Sequence, residues 1–144
     1  MQKTLLKEQQ GIALHTKCSI KPGEWQFYAM ISGYPENDVQ RYVCSDCLQH
    51  LRVLGINPKL KGYRCVALAI LFYAANPNLM MKQINPDVAG ICGLPDGNCV
   101  ERNIRSALGS AWERRDPEIW NCYFPVHEKC PTNKEFITCI AGLL

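Results

Sequence analysis

Hydrophobic positions recur at helical spacing along most of the chain. A first stripe runs from Asn37 or Asp38 to about Leu54, where Gly55 is placed to end the helix. The stripe consists of Val39, Val43, Cys47, Leu51 and Leu54. The segment 61–75 is apolar on most sides, which predicts a helix at the centre of the core.

A helix-turn-helix is predicted next. Residues 86–92 form a short helical pattern with Asn85 as its cap, and residues 93–97 are strong turn formers. A longer helix follows over about 98–115, with Asn98 as its cap. Its apolar positions are Val100, Ile104, Ala107, Leu108, Ala111 and Trp112. A short helix, a tight turn and a longer helix are typical of this DNA-binding motif.

Shorter helical segments complete the pattern. We expect short helices at about 78–83 and 117–120, and a loop over 122–130. Thr132 and Glu135 form a capping box that begins a final helix. Its apolar stripe is Phe136, Ile137, Ile140 and Leu143. The sequence therefore predicts an all-α domain of roughly six helices, with short loops and little or no sheet.

The longer helix of the motif carries charges on its outer face. Glu101, Arg102 and Arg105 lie close together there, and Glu101 also completes a capping box with Asn98. Arginine is the side chain that most often recognises guanine, because its guanidinium donates hydrogen bonds to both O6 and N7 in the major groove. Glu101 can accept a hydrogen bond from a cytosine amino group, or it can orient Arg105, which lies one helical turn further along. Alternatively, these three side chains form an ordinary solvent-exposed charged face that contacts no DNA.

Four blocks of sequence resemble one family in the correct order. They are Leu54-Gly55-Ile56 with Lys61-Gly62-Tyr63; Asn85-Pro86-Asp87-Val88-Ala89; Val100-Glu101-Arg102-x-Ile104-Arg105-x-Ala107 with Ala111-Trp112-x-Arg114; and Pro131-Thr132-Asn133-x-Glu135-Phe136-Ile137. From about Gln49 to the end, the chain thus resembles the C-terminal effector domain of the stage zero sporulation protein A family. The resemblance implies a sequence-specific transcriptional regulator that binds double-stranded DNA and has no catalytic activity, small-molecule substrate or cofactor.

The resemblance also implies which residues contact DNA. Glu101, Arg102 and Arg105 match the positions at the base edges. Backbone contacts are expected from Lys82, Asn98, Ser106, Arg114, Asn133 and Lys134. Because the family places effector domains in tandem on DNA, a homodimer is expected there.

Several positions depart from the family pattern. Asn98-Cys99 replaces a Ser-Arg pair, Ser106 replaces a histidine, and Cys130 replaces a lysine. The turn over 90–99 is one residue longer. We therefore expect a different operator sequence or weaker binding.

Residues 1–48 are predicted to be an N-terminal extension of unknown role, and residues 49–144 the effector domain. Helices are conceivable at 4–12 and 25–32. The extension is too short for the receiver domain that precedes the family's effector domain. Phosphorylation of a receiver in the same chain is thus not expected to be the switch.

Composition limits how the protein can bind DNA. The net charge is only +3, so contact must come from a local cluster such as Arg102, Arg105, Arg114, Arg115 and Lys82. The longest apolar run, 65–75, is too short to cross a bilayer, and residues 1–10 are too polar for a signal peptide. We therefore expect a cytoplasmic protein without a membrane partner, whose nine cysteines are reduced.

Two other functions remain open from the sequence. The chain could be a protein-interaction module that keeps the fold and modulates related regulators with little DNA binding. It could also be a metal or redox sensor, since His15, Cys18, Cys44 and Cys47 have spacings compatible with zinc. Against zinc, Cys44 and Cys47 fall inside a predicted helix, where cysteine usually acts as a small hydrophobic residue. His127 has no partner nucleophile in the sequence pattern, which argues against catalysis.

Overall fold

The computed structural model describes residues 38–125 and 128–144. The described part contains six helices and no strand: α1 (Asp38–Val53), α2 (Lys61–Ala75), α3 (Met81–Cys92), α4 (Gly97–Glu113), α5 (Pro117–Tyr123) and α6 (Asn133–Ala141). The predicted all-α fold with roughly six helices is confirmed over these residues. The chain divides into units 1–48 and 49–144, and the second is described below. The helices predicted at 4–12 and 25–32 lie outside the described residues.

Helix α2 is the centre of this unit, as its all-round apolar pattern predicts. Each residue from Cys65 to Leu71 is at most 2% exposed. Helices α3, α4 and α6 all pack against α2. The helix begins at Lys61 and ends at Ala75, where Asn76-Pro77 stops it as predicted. A helix buried on so many sides offers apolar surface to each of the helices that pack against it.

Helix α3 begins five residues earlier than predicted. The expected separate helix at 78–83 and the Asn85 cap are both wrong, because α3 starts at Met81 and runs through Pro86. The Gln83 side chain accepts from the Met80 backbone N–H at 2.8 Å and fixes the start. Proline removes one helical hydrogen bond, to the carbonyl of Lys82. Since Lys82 and Pro86 are both exposed, water can satisfy that carbonyl.

The cap of α4 also differs from the prediction. Asp96, and not Asn98, caps the helix, since its carboxylate accepts from the Cys99 backbone N–H at 2.9 Å. Asn98 instead lies exposed in the first turn of α4. Both Asp and Asn are good caps, so the sequence could not distinguish two candidates two residues apart.

An aromatic cluster joins α5 to the rest of the unit. The buried Trp120 indole donates to the Leu54 carbonyl at 3.1 Å. Its ring lies 5.8 Å from that of Phe124 and 6.1 Å from that of Phe136. Helix α5 extends to Tyr123, beyond the predicted end at Trp120. These contacts lengthen α5 into the region predicted as loop.

The capping box of α6 is confirmed. Thr132 Oγ1 accepts from the Glu135 N–H at 3.1 Å, and the Glu135 carboxylate accepts from the Thr132 N–H at 2.9 Å. Phe136, Ile137 and Ile140 are buried as the stripe predicts. Leu143 was expected in the same stripe but is 50% exposed, because α6 ends at Ala141 and the chain leaves the helical path.

Thr132→Ala should destabilise the protein by about 1 kcal/mol, because it leaves the Glu135 N–H without its cap. The measurement is the free energy of unfolding in urea, followed by circular dichroism. Thr138→Ala is the matched control, since its hydroxyl donates to the Lys134 carbonyl inside the same helix and caps nothing. Equal losses in the two variants would show that the capping box does not stabilise α6.

Candidate nucleic-acid interface

Helices α3 and α4 form the helix-turn-helix. Gly93 ends α3 in the left-handed conformation, with φ of 70°, which glycine adopts without strain. The Leu94 N–H then donates to the Ala89 carbonyl at 2.9 Å. At the start of α4, a Cβ on Gly97 would lie 3.2 Å from the Asn85 Cβ. A small residue at position 97 therefore lets the two helices approach closely.

Helix α4 has one buried face and one exposed face. Val100, Ile104, Ala107, Leu108 and Ala111 are each at most 2% exposed. The exposed face carries Asn98, Glu101, Arg102, Arg105 and Ser106. A helix fixed by its apolar face presents the other face rigidly to a partner.

The charged side chains on this face are already arranged. Arg105 Nη2 lies 2.9 Å from Glu101 Oε2, and the two side chains are 61% and 49% exposed. An ion pair so exposed adds little to stability, so its main effect is to orient the guanidinium. Arg102 Nη2 lies 3.7 Å from Cys99 Sγ, a weak contact that leaves its guanidinium exposed. Both arginines can therefore bond an added partner.

The start of α6 is attached to α4. Asn133 Nδ2 donates to the Glu101 carbonyl at 3.0 Å. A cleft of about 930 Å³ lies where α3, α4 and α6 begin. Six of the nine predicted DNA contacts line it: Lys82, Asn98, Glu101, Arg105, Asn133 and Lys134. Residues from three separate segments thus meet at one surface.

Two arginines near the end of α4 lie apart from this surface. Arg114, a predicted backbone contact, caps the C-terminal end of α4 and lies roughly 18 Å along the helix from Arg102. Arg115 belongs to the predicted local basic cluster, but its guanidinium lies 3.7 Å from the Trp112 ring centroid. It also donates to the Trp112 carbonyl at 2.8 Å. Arg115 therefore stabilises the end of α4.

Asn85 is a cleft residue whose position the sequence misassigned. Its Oδ1 is buried and has no hydrogen-bond partner within the described part of the chain. Because the sequence predicts Asn85 as a helix cap, it gives no signal that this residue lines the cleft with a buried side-chain oxygen.

The predicted zinc ligands are mostly beyond what the structure describes. His15 and Cys18 lie outside the described residues, as do the side chains of Cys44 and His127. Cys47 is fully buried. Among residues 38–125 and 128–144, no three His, Cys, Asp or Glu side chains come together as metal ligands. In the same part of the chain, no helix has both the length and the apolar character needed to cross a membrane.

The fold and this surface define a class of protein. An all-α domain whose helix-turn-helix exposes arginines on its second helix has the architecture of a DNA-binding regulatory domain. The sequence model described as "Sporulation initiation factor Spo0A C terminal" matches residues 47–144, and the chain belongs to this family. It is a family of sporulation-related DNA-binding domains that regulate transcription, and not a family of enzymes.

Proposed function

We propose that this protein is a sequence-specific transcriptional regulator that inserts α4 into the major groove of double-stranded DNA. The observation that carries the proposal is the exposed face of α4, where Glu101, Arg102 and Arg105 lie opposite a fully buried apolar face. Arg102 and Arg105 bond guanine O6 and N7. Glu101 holds Arg105 in position or accepts from a cytosine amino group.

The rim of the cleft supplies the backbone contacts in this proposal. The exposed ammonium groups of Lys82 and Lys134 pair with phosphates on either side of α4. Asn98 and Ser106 are exposed on α4 itself and contact the strands beside the bases. Asn133 contacts a phosphate while one N–H of its side-chain amide donates to the Glu101 backbone carbonyl. Arg114 reaches the backbone further along the groove.

The proposed regulation does not use a receiver in residues 1–48, because that segment is too short to form one. Two copies bind adjacent half-sites as a homodimer on DNA. Because the net charge is only +3, discrimination between sequences comes from the local cluster and not from a general attraction to DNA.

Fluorescence anisotropy tests this function at two salt concentrations, with a duplex that carries the short DNA element bound by the resembled family and with a scrambled duplex. We expect tighter binding to the element, and binding that weakens as salt rises because counterions are released from the phosphates. If the protein binds both duplexes equally and weakly, a selection from random DNA sequences shows whether it recognises a different operator. A selection that enriches no DNA sequence would contradict sequence-specific DNA binding and favour the protein-interaction module.

A further inference from the structure

The exposed face of α4 carries one acidic side chain among the proposed DNA contacts. Glu101 is the only Asp or Glu in the segment 98–106, and its side chain is 49% exposed. The carboxylates of Asp96 and Glu135, at the starts of α4 and α6, are engaged in helix caps. The Glu101 carboxylate instead lies 2.9 Å from Arg105 Nη2. Because phosphates repel a carboxylate, its place on a surface proposed to bind DNA needs an explanation.

The ion pair between Glu101 and Arg105 is formed before any DNA is bound. A glutamate one helical turn before a basic residue is the favourable order for such a pair. The pair engages the guanidinium through Nη2. A guanidinium has several further N–H donors, so Arg105 can keep the pair and still donate to O6 and N7 of a guanine. A phosphate, in contrast, competes with the Glu101 carboxylate for the same positive charge.

We propose that Glu101 is a specificity-determining residue that weakens binding to DNA outside the operator. On DNA that offers no guanine at the right place, Arg105 must leave Glu101 to pair fully with a phosphate, and the carboxylate left behind repels that strand. On the operator, Arg105 bonds guanine with the pair intact, and neither cost arises. The part of the inference that concerns the operator rests on the proposed function, whereas the effect on other DNA does not.

The two arginines of α4 differ in this respect. Arg102 is also exposed, but its Nη2 contacts the Cys99 thiol at 3.7 Å and not a carboxylate. Arg102 can therefore pair with a phosphate on any DNA, whereas Glu101 withholds Arg105. With a net charge of only +3, the loss of one cation from general attraction is a large fraction of the whole. Each phosphate contact adds about 0.9 to the slope of log affinity against log salt, so the effect is measurable.

Fluorescence anisotropy with a scrambled duplex tests the effect on the full-length protein, between about 50 and about 200 mM salt. We expect Glu101→Gln to tighten binding about threefold or more at the lower salt and to steepen the salt slope by about 0.9. Glu113→Gln is the matched control, because it removes an exposed carboxylate about 18 Å further along α4. If Glu101→Gln tightens binding no more than Glu113→Gln does, the proposal is overturned.

A double-variant cycle shows whether Glu101 acts through Arg105. Arg105→Ala should change binding to the scrambled duplex by less than about twofold, whereas Arg102→Ala should weaken it about threefold. When Arg105 is already alanine, Glu101→Gln should tighten binding by less than about twofold. An undiminished effect of Glu101→Gln in the Arg105→Ala protein would overturn the mechanism, because the carboxylate would then act on phosphates alone.

The selected operator tests the consequence for specificity separately. Glu101→Gln should tighten operator binding less than scrambled binding, so the ratio of the two affinities should fall at least about threefold. An unchanged ratio would overturn the role of Glu101 in specificity. If the selection finds no operator, the proposed function fails, and the scrambled duplex still decides whether Glu101 withholds Arg105 from phosphates.

Discussion

Replacement of both Arg102 and Arg105 by alanine should abolish discrimination between the operator and a scrambled duplex. A bidentate arginine–guanine pair is worth about 1–3 kcal/mol of discrimination, or roughly 5- to 150-fold for each arginine. We therefore expect the double variant to lose at least about 30-fold in affinity for the operator, measured by fluorescence anisotropy. The fold should be unaffected, because both side chains are exposed on α4.

Two controls separate base reading from charge. Arg102→Lys with Arg105→Lys keeps both charges but removes the forked donors, so it should retain affinity for scrambled DNA and lose discrimination. Arg52→Ala removes one positive charge from the exposed face of α1, where the Arg52 guanidinium donates to the Gln49 side-chain oxygen at 2.6 Å. If Arg52→Ala weakens operator binding as much as the double alanine variant, α4 is not the reading helix.

Gly62→Ala should destabilise the protein by about 1–2 kcal/mol. A Cβ at this position would overlap the Asn103 carbonyl oxygen and lie 2.7 Å from the Ala107 Cβ. Both neighbours belong to α4, and the first is backbone, so α2 and α4 must separate. Overpacking of this kind commonly costs about 1–3 kcal/mol or more, and it outweighs the roughly 1 kcal/mol that alanine gains over glycine in a helix. Unfolding in guanidinium chloride, followed by circular dichroism, measures the loss.

Gly109→Ala is the matched control for this prediction. Gly109 lies within α4, and an added Cβ would meet nothing within 4 Å. The change should therefore stabilise the protein by about 0.5–1 kcal/mol, because alanine is the better helix former. If Gly62→Ala is no less stable than Gly109→Ala, the close crossing of α2 and α4 does not exist. Since this crossing fixes α4, Gly62→Ala should also weaken DNA binding.

The helices with continuous periodic patterns could be predicted from the sequence. The bounds of α2 follow from its apolar run and from Asn76-Pro77. The buried face of α4 follows from periodicity, and the start of α6 follows from the Thr132 and Glu135 capping box. In each case the local pattern and the tertiary packing favour the same structure.

The rest depends on contacts that no local pattern contains. Pro86 predicts a helix start, yet packing against α2 and α4 carries α3 through it. The bond from Asn133 to the Glu101 carbonyl joins residues far apart in sequence, so spacing could not reveal it.

The central claim is that α4 lies in the major groove. The most direct test replaces the N7 atom of one guanine at a time in the selected operator. Substitution of 7-deazaguanine removes an acceptor that only the major groove displays. We expect one or two guanines at which it weakens wild-type binding about tenfold. At those guanines it should cause no further loss in the matching Arg102→Ala or Arg105→Ala variant. An operator whose 7-deazaguanine forms all bind as tightly as the natural duplex would contradict the account.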